Sequence, residues 1–210
     1  MTTFASVLVR VADDVVAAQA ELNQLDGAAG DGDLGLTMST GARALIAIAP
    51  ELEAMDLASA VRRCGSELAR KAPSTSGTLV ATALLRAAGV LGGDKGSAAL
   101  VAEALAASRT GIEQRGKASV GDKTMLDALA PACEAAQASA EAGLSVCETL
   151  RAAARAAADG AALTKSMRAK VGRAGWLADR SEGHEDAGAH LVALLLASAA
   201  RHACEGTATP

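Results

Sequence analysis

The sequence predicts an all-α fold of eight helices, mostly antiparallel neighbours, with no strand. Three observations carry this. Alanine is abundant, and aromatics are nearly absent, Phe4 and Trp176 being the only two in 210 residues. Alanine is the strongest helix former, and its small side chain lets helices approach closely. Second, apolar residues recur at three- and four-residue steps instead of alternating. Third, polar breaks fall at helix-length intervals with short connections, which make sequential helices antiparallel neighbours. Half the residues are apolar, enough for a core. No internal repeat and no Pro/Ser-rich linker divides the chain, so residues 1–210 are read as a single domain.

A first helix is expected from a Thr2 or Thr3 cap to about Gln24, since Phe4, Val7, Leu8, Val11, Val15, Ala18 and Leu22 form one stripe. A second runs from about Gly35 to Ile48 and is expected to stop before Pro50, whose ring removes a helical hydrogen bond. Asp56 caps a third, with Leu57, Val61, Cys64 and Leu68 on one face, ending before Pro73. A fourth covers about Gly77 to Val90, before the break LGGDKG, and a fifth about Ser97 to Glu113. Asp122 is expected to cap a sixth, from Lys123 to about Gly143, kinked at Pro131. A seventh runs from about Ser145 to Lys170, with Leu150, Ala154 and Ala157 inward, and an eighth from about Ala187 to Ala203.

Composition also excludes some functions. A net charge of -4 argues against recognition of a nucleic-acid backbone, which needs a basic face. Cys64, Cys133, Cys147 and Cys204 are far apart, form no CxxC pair and sit in helical patterns. Buried free thiols in a reducing compartment are therefore expected. The N-terminus has no basic n-region, and the longest apolar run, Ala187 to Ala200, contains His190 and is too short to span a bilayer. A cytoplasmic protein with no membrane partner is expected.

Four polar loops remain, at 25–37, 73–78, 114–124 and 171–188, before helices two, four, six and eight. In an up-and-down bundle alternate connections lie at one end, so all four are expected on one rim. The first, LDGAAGDGDLGLTM at 25–38, holds Asp26, Asp31 and Asp33 within eight residues, threaded with glycines. Carboxylates this close repel, by roughly 4 kcal/mol at about 4 Å and an effective dielectric near 20, unless a cation neutralises them. All-oxygen donors select Mg²⁺ or Ca²⁺. Glycines let the loop fold back, and the helix start that follows favours an anion such as phosphate. The run is neither an EF-hand, lacking the spacing and closing Glu, nor a P-loop, lacking Gly-Lys-Ser/Thr. The alternative is a solvated Asp/Gly turn.

Taken together, LDGAAGDGDLGLTM, STSG at 74–77, GKASVGDKTMLDALAPA at 116–132 and GRAGWLADRSEGHEDAGA at 172–189 resemble the ADP-binding subunit of dihydroxyacetone kinases, in the family's order. The same domain forms the C-terminal half of single-chain enzymes. The resemblance implies an eight-helix up-and-down barrel holding ADP or ATP and two Mg²⁺ ions at one end. It implies Asp26, Asp31 and Asp33 as metal ligands, and Leu34, Gly35, Leu36 and Thr37 as phosphate contacts. It further implies nucleotide contacts from Thr75, Ser76, Gly116, Met125, Arg173, Asp186, Ala187 and Gly188. Partners implied are a ketose-binding kinase subunit and, where ADP is rephosphorylated in place, a phosphotransferase-system donor protein. The chain lacks the domain that binds the ketose through a histidine, so one subunit of a multi-part kinase is expected. Departures are Leu34 where His, Thr or Cys is common, Pro73 and Ser74 for Gly-Gly, Trp176 for Tyr and Ala187 for Pro. Two other functions fit an Asp-x-Asp loop: the ATP-binding domain of fatty-acid kinases and a non-catalytic nucleotide-sensing module. The GDKTMLDAL run favours the sugar-kinase branch, and activity with a ketose-binding partner separates it from a sensor.

Simpler readings hold for other polar residues. Lys117 and Lys123 are read as solvated, Asp122 as a cap, Asp127 as a helix-surface acid and Met125 as packing. His184 and Arg180 receive no role.

Overall fold

The computed structural model describes residues 3–92, 97–172, 175 and 181–205. Among them there is no strand. Thr3 opens α1 (Phe4–Ala17) with reciprocal capping: its hydroxyl accepts from the Ser6 amide, and the Ser6 hydroxyl accepts from the Thr3 amide. The expected first helix breaks at Ala18, where ψ falls to 2°, and α2 (Gln19–Ala29) starts at once. The break lays α2 on α3 (Leu34–Leu52) so closely that a Cβ on Gly35 would sit 2.0 Å from the Gln19 carbonyl oxygen. The Asn23 carboxamide accepts the Leu36 amide, and Gln19 accepts the Ser39 hydroxyl.

α3 does not stop before Pro50 but carries it inside its last turn. Only one helical bond is lost there, while continuing the helix adds Leu52 to the core beside Leu45 and Ile48. Asp56 caps α4 (Leu57–Lys71) as expected, and Ser74 caps α5 (Thr75–Ala88), two residues earlier than expected. α6 spans Ser97–Gly116. α7 (Leu126–Glu141) starts three residues later than expected, without Asp122 as its cap. α8 (Val146–Leu163) ends in a single 3₁₀ turn, Thr164–Ser166, rather than continuing to Lys170. α9 spans Ala187–Ala203, as expected, and Asp186 caps it.

Packing runs α1–α3–α4–α5–α6–α7–α8–α9 and returns from α9 to α1. Eight helices close an up-and-down barrel, and α2 lies against α3 and α9 at one end. The alanine content finds its use here. Ala128, Ala132 and Ala136 of α7 and Ala153, Ala157 and Ala161 of α8 are all buried at four-residue steps. A Cβ on Gly160 would lie 2.4 Å from the Asp127 carbonyl oxygen, so α8 and α7 touch almost backbone to backbone. The α1–α9 seam is polar: Asp14 accepts from Ser198, Arg201 at 2.7 Å and His202 at 2.9 Å. Burial pushes the Asp14 carboxyl up, but these three bonds outweigh it and hold the group below the usual range.

The expectation of four free thiols fails for two. Cys147 and Cys204 form a disulfide, Cα–Cα 5.6 Å. They are 57 residues apart in sequence, but antiparallel packing brings the start of α8 beside the end of α9. Cys64 and Cys133 are free and buried, their thiols pushed up to about 11 by burial. No helix among the described residues is long and apolar enough to cross a membrane.

Candidate nucleotide and metal site

All four polar loops meet at one end of the barrel, as the alternation of connections requires. They line a cleft of about 570 Å³. Asp26, Asp31 and Asp33 come from the first loop, and Ser74, Thr75 and Ser76 from the second. Gly116, Lys123, Thr124 and Met125 come from the third, and Gly172, Ser181, His184, Asp186, Ala187 and Gly188 from the fourth.

One oxygen of each of Asp26, Asp31 and Asp33 lies within 4.8 Å of the others. Asp26 lies in the last turn of α2, and Asp33 is the N-cap residue of α3. Of the interspersed glycines only Gly32 has a left-handed conformation, φ +76°. Gly30 is needed for closeness: a Cβ there would lie 2.5 Å from the Asp26 Oδ1 atom. Gly27 and Gly35 lie inside helices. Three carboxylates at this separation, two of them exposed, fit a hard divalent cation by donor type and charge.

Leu34 lines the cleft and is buried. Gly35, Leu36 and Thr37 do not line it. Gly35 is pressed against α2, the Leu36 amide is taken by Asn23, and the Thr37 amide bonds to the Asp33 carbonyl. The Ser74 hydroxyl accepts the Gly77 amide, so the Thr75 and Ser76 amides begin α5 ahead of any intrahelical acceptor. Met125, Leu79 and Ile112 add to the apolar lining, which also includes Leu25, Leu34 and Val171. At Gly116 a Cβ would already touch Leu79 at 3.4 Å. Asp186 caps α9 through the Ala189 amide, 2.8 Å, and burial pushes its carboxyl up to about 6. Arg173, expected as a nucleotide contact, lies outside the described residues, as do Trp176 and Arg180.

Three residues overturn their sequence reading. Lys123 is not solvated; it is 3% exposed, with its ammonium on the carbonyls of Met167, Ser181 and His184. Asp127 is not a surface acid but is buried, and its carboxylate accepts from the Gly121 and Thr124 amides. It shapes the loop leading into the helix that Asp122 was expected to cap. Asp122 instead accepts the Ser119 amide.

A family model described as the DAK2 domain matches residues 28–201. The chain is 34% identical over 188 residues to the ADP-binding subunit DhaL of the PEP-dependent dihydroxyacetone kinase of Escherichia coli, covering 87% of this chain and 88% of that one. It is 37% identical to the D-erythrulose kinase of Mycolicibacterium smegmatis over 88% of its own length, but spans only 32% of that protein. The dihydroxyacetone kinase of C. freundii, solved with AMP-PNP and Mg²⁺, superposes with a TM-score of 0.74 at 27% identity, over 94% of this chain and 33% of that one. These relatives are kinases by name, and the match to the subunit runs nearly end to end. The chain belongs to the DAK2 domain family and, within it, to the ADP-binding subunits of dihydroxyacetone kinases.

Proposed function

We propose that this chain is the nucleotide-binding, phosphoryl-transferring subunit of a short-chain ketose kinase. In this reading residues 1–210 work as one domain, ADP or ATP binds the cleft with two Mg²⁺ ions, and a partner subunit presents the ketose. The observation that carries the reading is the meeting of three carboxylates within 4.8 Å in the same cleft as the amide-rich start of α5.

Phosphoryl transfer depends mainly on positioning and charge neutralisation. Bound divalent ions supply that neutralisation at the phosphates. Asp26, Asp31 and Asp33 hold them. Thr75 and Ser76 offer amides and hydroxyls to phosphate oxygens, and Leu34 closes the lining beside Asp33. Met125, with Leu79 and Ile112, packs against the base, for which Gly116 leaves room. Asp186, Ala187 and Gly188 form the far wall at the start of α9, and Arg173 is assigned the role of a cation toward the nucleotide. No protein nucleophile is required. The long match to a subunit named PEP-dependent supports a phosphotransferase-system donor that rephosphorylates bound ADP. Direct exchange of ATP is the other form.

The test is sugar phosphate formation from dihydroxyacetone or a four-carbon ketose. The chain is assayed alone, then with a ketose-binding subunit plus ATP, then with that subunit plus a phosphotransferase system and phosphoenolpyruvate. Product is expected only with the partner, because only a presented hydroxyl can be held in line with the γ-phosphate. Robust phosphorylation by the chain alone contradicts the division of labour.

A further inference from the structure

Lys123 breaks the ordinary rule for lysine. It sits in a polar loop with φ 62°, yet it is 3% exposed. Its Nζ atom donates to the carbonyls of Met167 at 3.0 Å, His184 at 2.8 Å and Ser181. An ammonium has three N–H donors, and all three are used on backbone. No carboxylate among the described residues lies in contact with it. Burial pulls the ammonium downward, opposed by the fields of Asp186 and Glu182. A buried charge is costly, and a solvated lysine would avoid that cost.

The acceptors lie on two stretches, 167–172 and 181–186, whose neighbouring segments also meet through the Asp186 amide on the Thr164 hydroxyl and the Lys165–Glu185 pair. The Ala169 amide donates to the Ser181 hydroxyl at 3.0 Å, and the Gly183 amide to the Lys165 carbonyl at 2.9 Å. The Lys170 amide donates to the Asp122 carbonyl at 3.2 Å, beside Lys123 itself. The loop bearing Lys123 is fixed in turn by Asp127. Val171, Gly172, Ser181, His184 and Asp186 on the two stretches line the cleft.

We propose that Lys123 is a positioning residue: its ammonium draws the 167–172 and 181–186 stretches together and so fixes the cleft wall against which the nucleotide binds. This rests on the nucleotide reading of the cleft. Lys123 lines the cleft, but its ammonium is spent on the three carbonyls, and it is through them that it acts.

The experiment combines amide hydrogen exchange on the nucleotide-free protein with calorimetry of Mg·ADP and of Mn²⁺ alone. Wild type is compared with Lys123→Met and Lys123→Arg. In wild type the Ala169, Lys170 and Gly183 amides are expected to be protected; free exchange there overturns the clamp whatever the variants do. In Lys123→Met these amides should exchange faster, and Mg·ADP should bind roughly tenfold or more weakly. Mn²⁺ affinity at the aspartates should be unchanged, which a general loss of fold would not allow. Lys123→Arg should behave alike, because a flat guanidinium fork cannot converge on three carbonyls as an ammonium does. Faster exchange with unchanged Mg·ADP affinity overturns the positioning role. Absence of any Mg·ADP binding by wild type overturns the nucleotide reading and with it that role, while the exchange data still decide whether the clamp exists.

Discussion

The Oδ2 atom of Asp26 accepts the backbone N–H of Asp33 at 3.0 Å and also that of Leu34 at 3.3 Å. Asp33 holds the N-cap position of α3 but makes no side-chain cap bond. Capping of α3 has passed to an aspartate seven residues earlier, and that aspartate also belongs to the metal-competent trio. Two jobs meet in one carboxylate.

Asp26→Ala should therefore lower apo stability by about 1–2 kcal/mol, as loss of a helix cap does. In a chain of this size that is a fall of roughly 2–8 °C in melting temperature. Asp31→Asn and Asp33→Asn should leave the apo melt unchanged or slightly higher, since each removes a repelling charge. Thermal unfolding without metal distinguishes them; equal losses in all three would contradict the division.

Gly30→Ala should weaken divalent-cation binding roughly tenfold or more although it removes no ligand. The new Cβ would press on Asp26 from 2.5 Å at Oδ1 and 2.9 Å at the carbonyl oxygen, turning the carboxylate away. Calorimetric Mn²⁺ titration of the variant reads this directly, and an unchanged affinity would show that the loop yields without moving Asp26.

Asp186 sets a pH dependence. Its carboxyl is raised from 3.8 to about 6, mainly by burial. Between those values the folded state binds more protons than the unfolded state, so stability falls as pH rises through that window. The contribution is fully present below about pH 4 and lost above about pH 6. Asp186→Asn keeps a capping side chain but cannot ionise. It should match wild type near pH 4 and be more stable at pH 7, by on the order of 2 kcal/mol. A difference that does not change with pH would contradict the burial argument.

How much of this was legible in the sequence differs by residue. The meeting of Asp26, Asp31 and Asp33 was readable because all three fall within eight residues of one glycine-threaded run, and the common rim followed from counting helices. The break at Ala18 was not readable, since no Gly or Pro marks it and the apolar stripe runs through. Pro50 misled because a lost hydrogen bond in a last turn is outweighed by burying Leu52. Lys123 was misread because a polar residue in a polar loop looks solvated until a distant stretch covers it, and Asp127 because an acid at a helix start looks exposed until the preceding loop turns its amides onto it. The Cys147–Cys204 pair needed the α8–α9 packing, which spacing does not reveal.

That disulfide lies at the start of α8 and the end of α9, whereas the cleft is at the start of α9. A helix of 17 residues puts roughly 25 Å between the two ends of α9. Cys147→Ser should lower stability by about 2–4 kcal/mol, as expected for opening a long closed loop, and leave Mg·ADP affinity as in wild type. Denaturant unfolding and calorimetry on the same sample check both halves; an affinity loss would mean that the far end shapes the cleft.

The central claim is that the cleft binds nucleotide through a cation held by the three aspartates. Its most direct test is calorimetric titration of ADP into the isolated chain with Mg²⁺ and with chelator, in wild type and in Asp31→Asn and Asp33→Asn. The expected result is binding that requires Mg²⁺ and weakens by well over tenfold, about 1.4 kcal/mol or more, in either variant. ADP binding of equal strength with and without Mg²⁺, or unaffected by both substitutions, would contradict it.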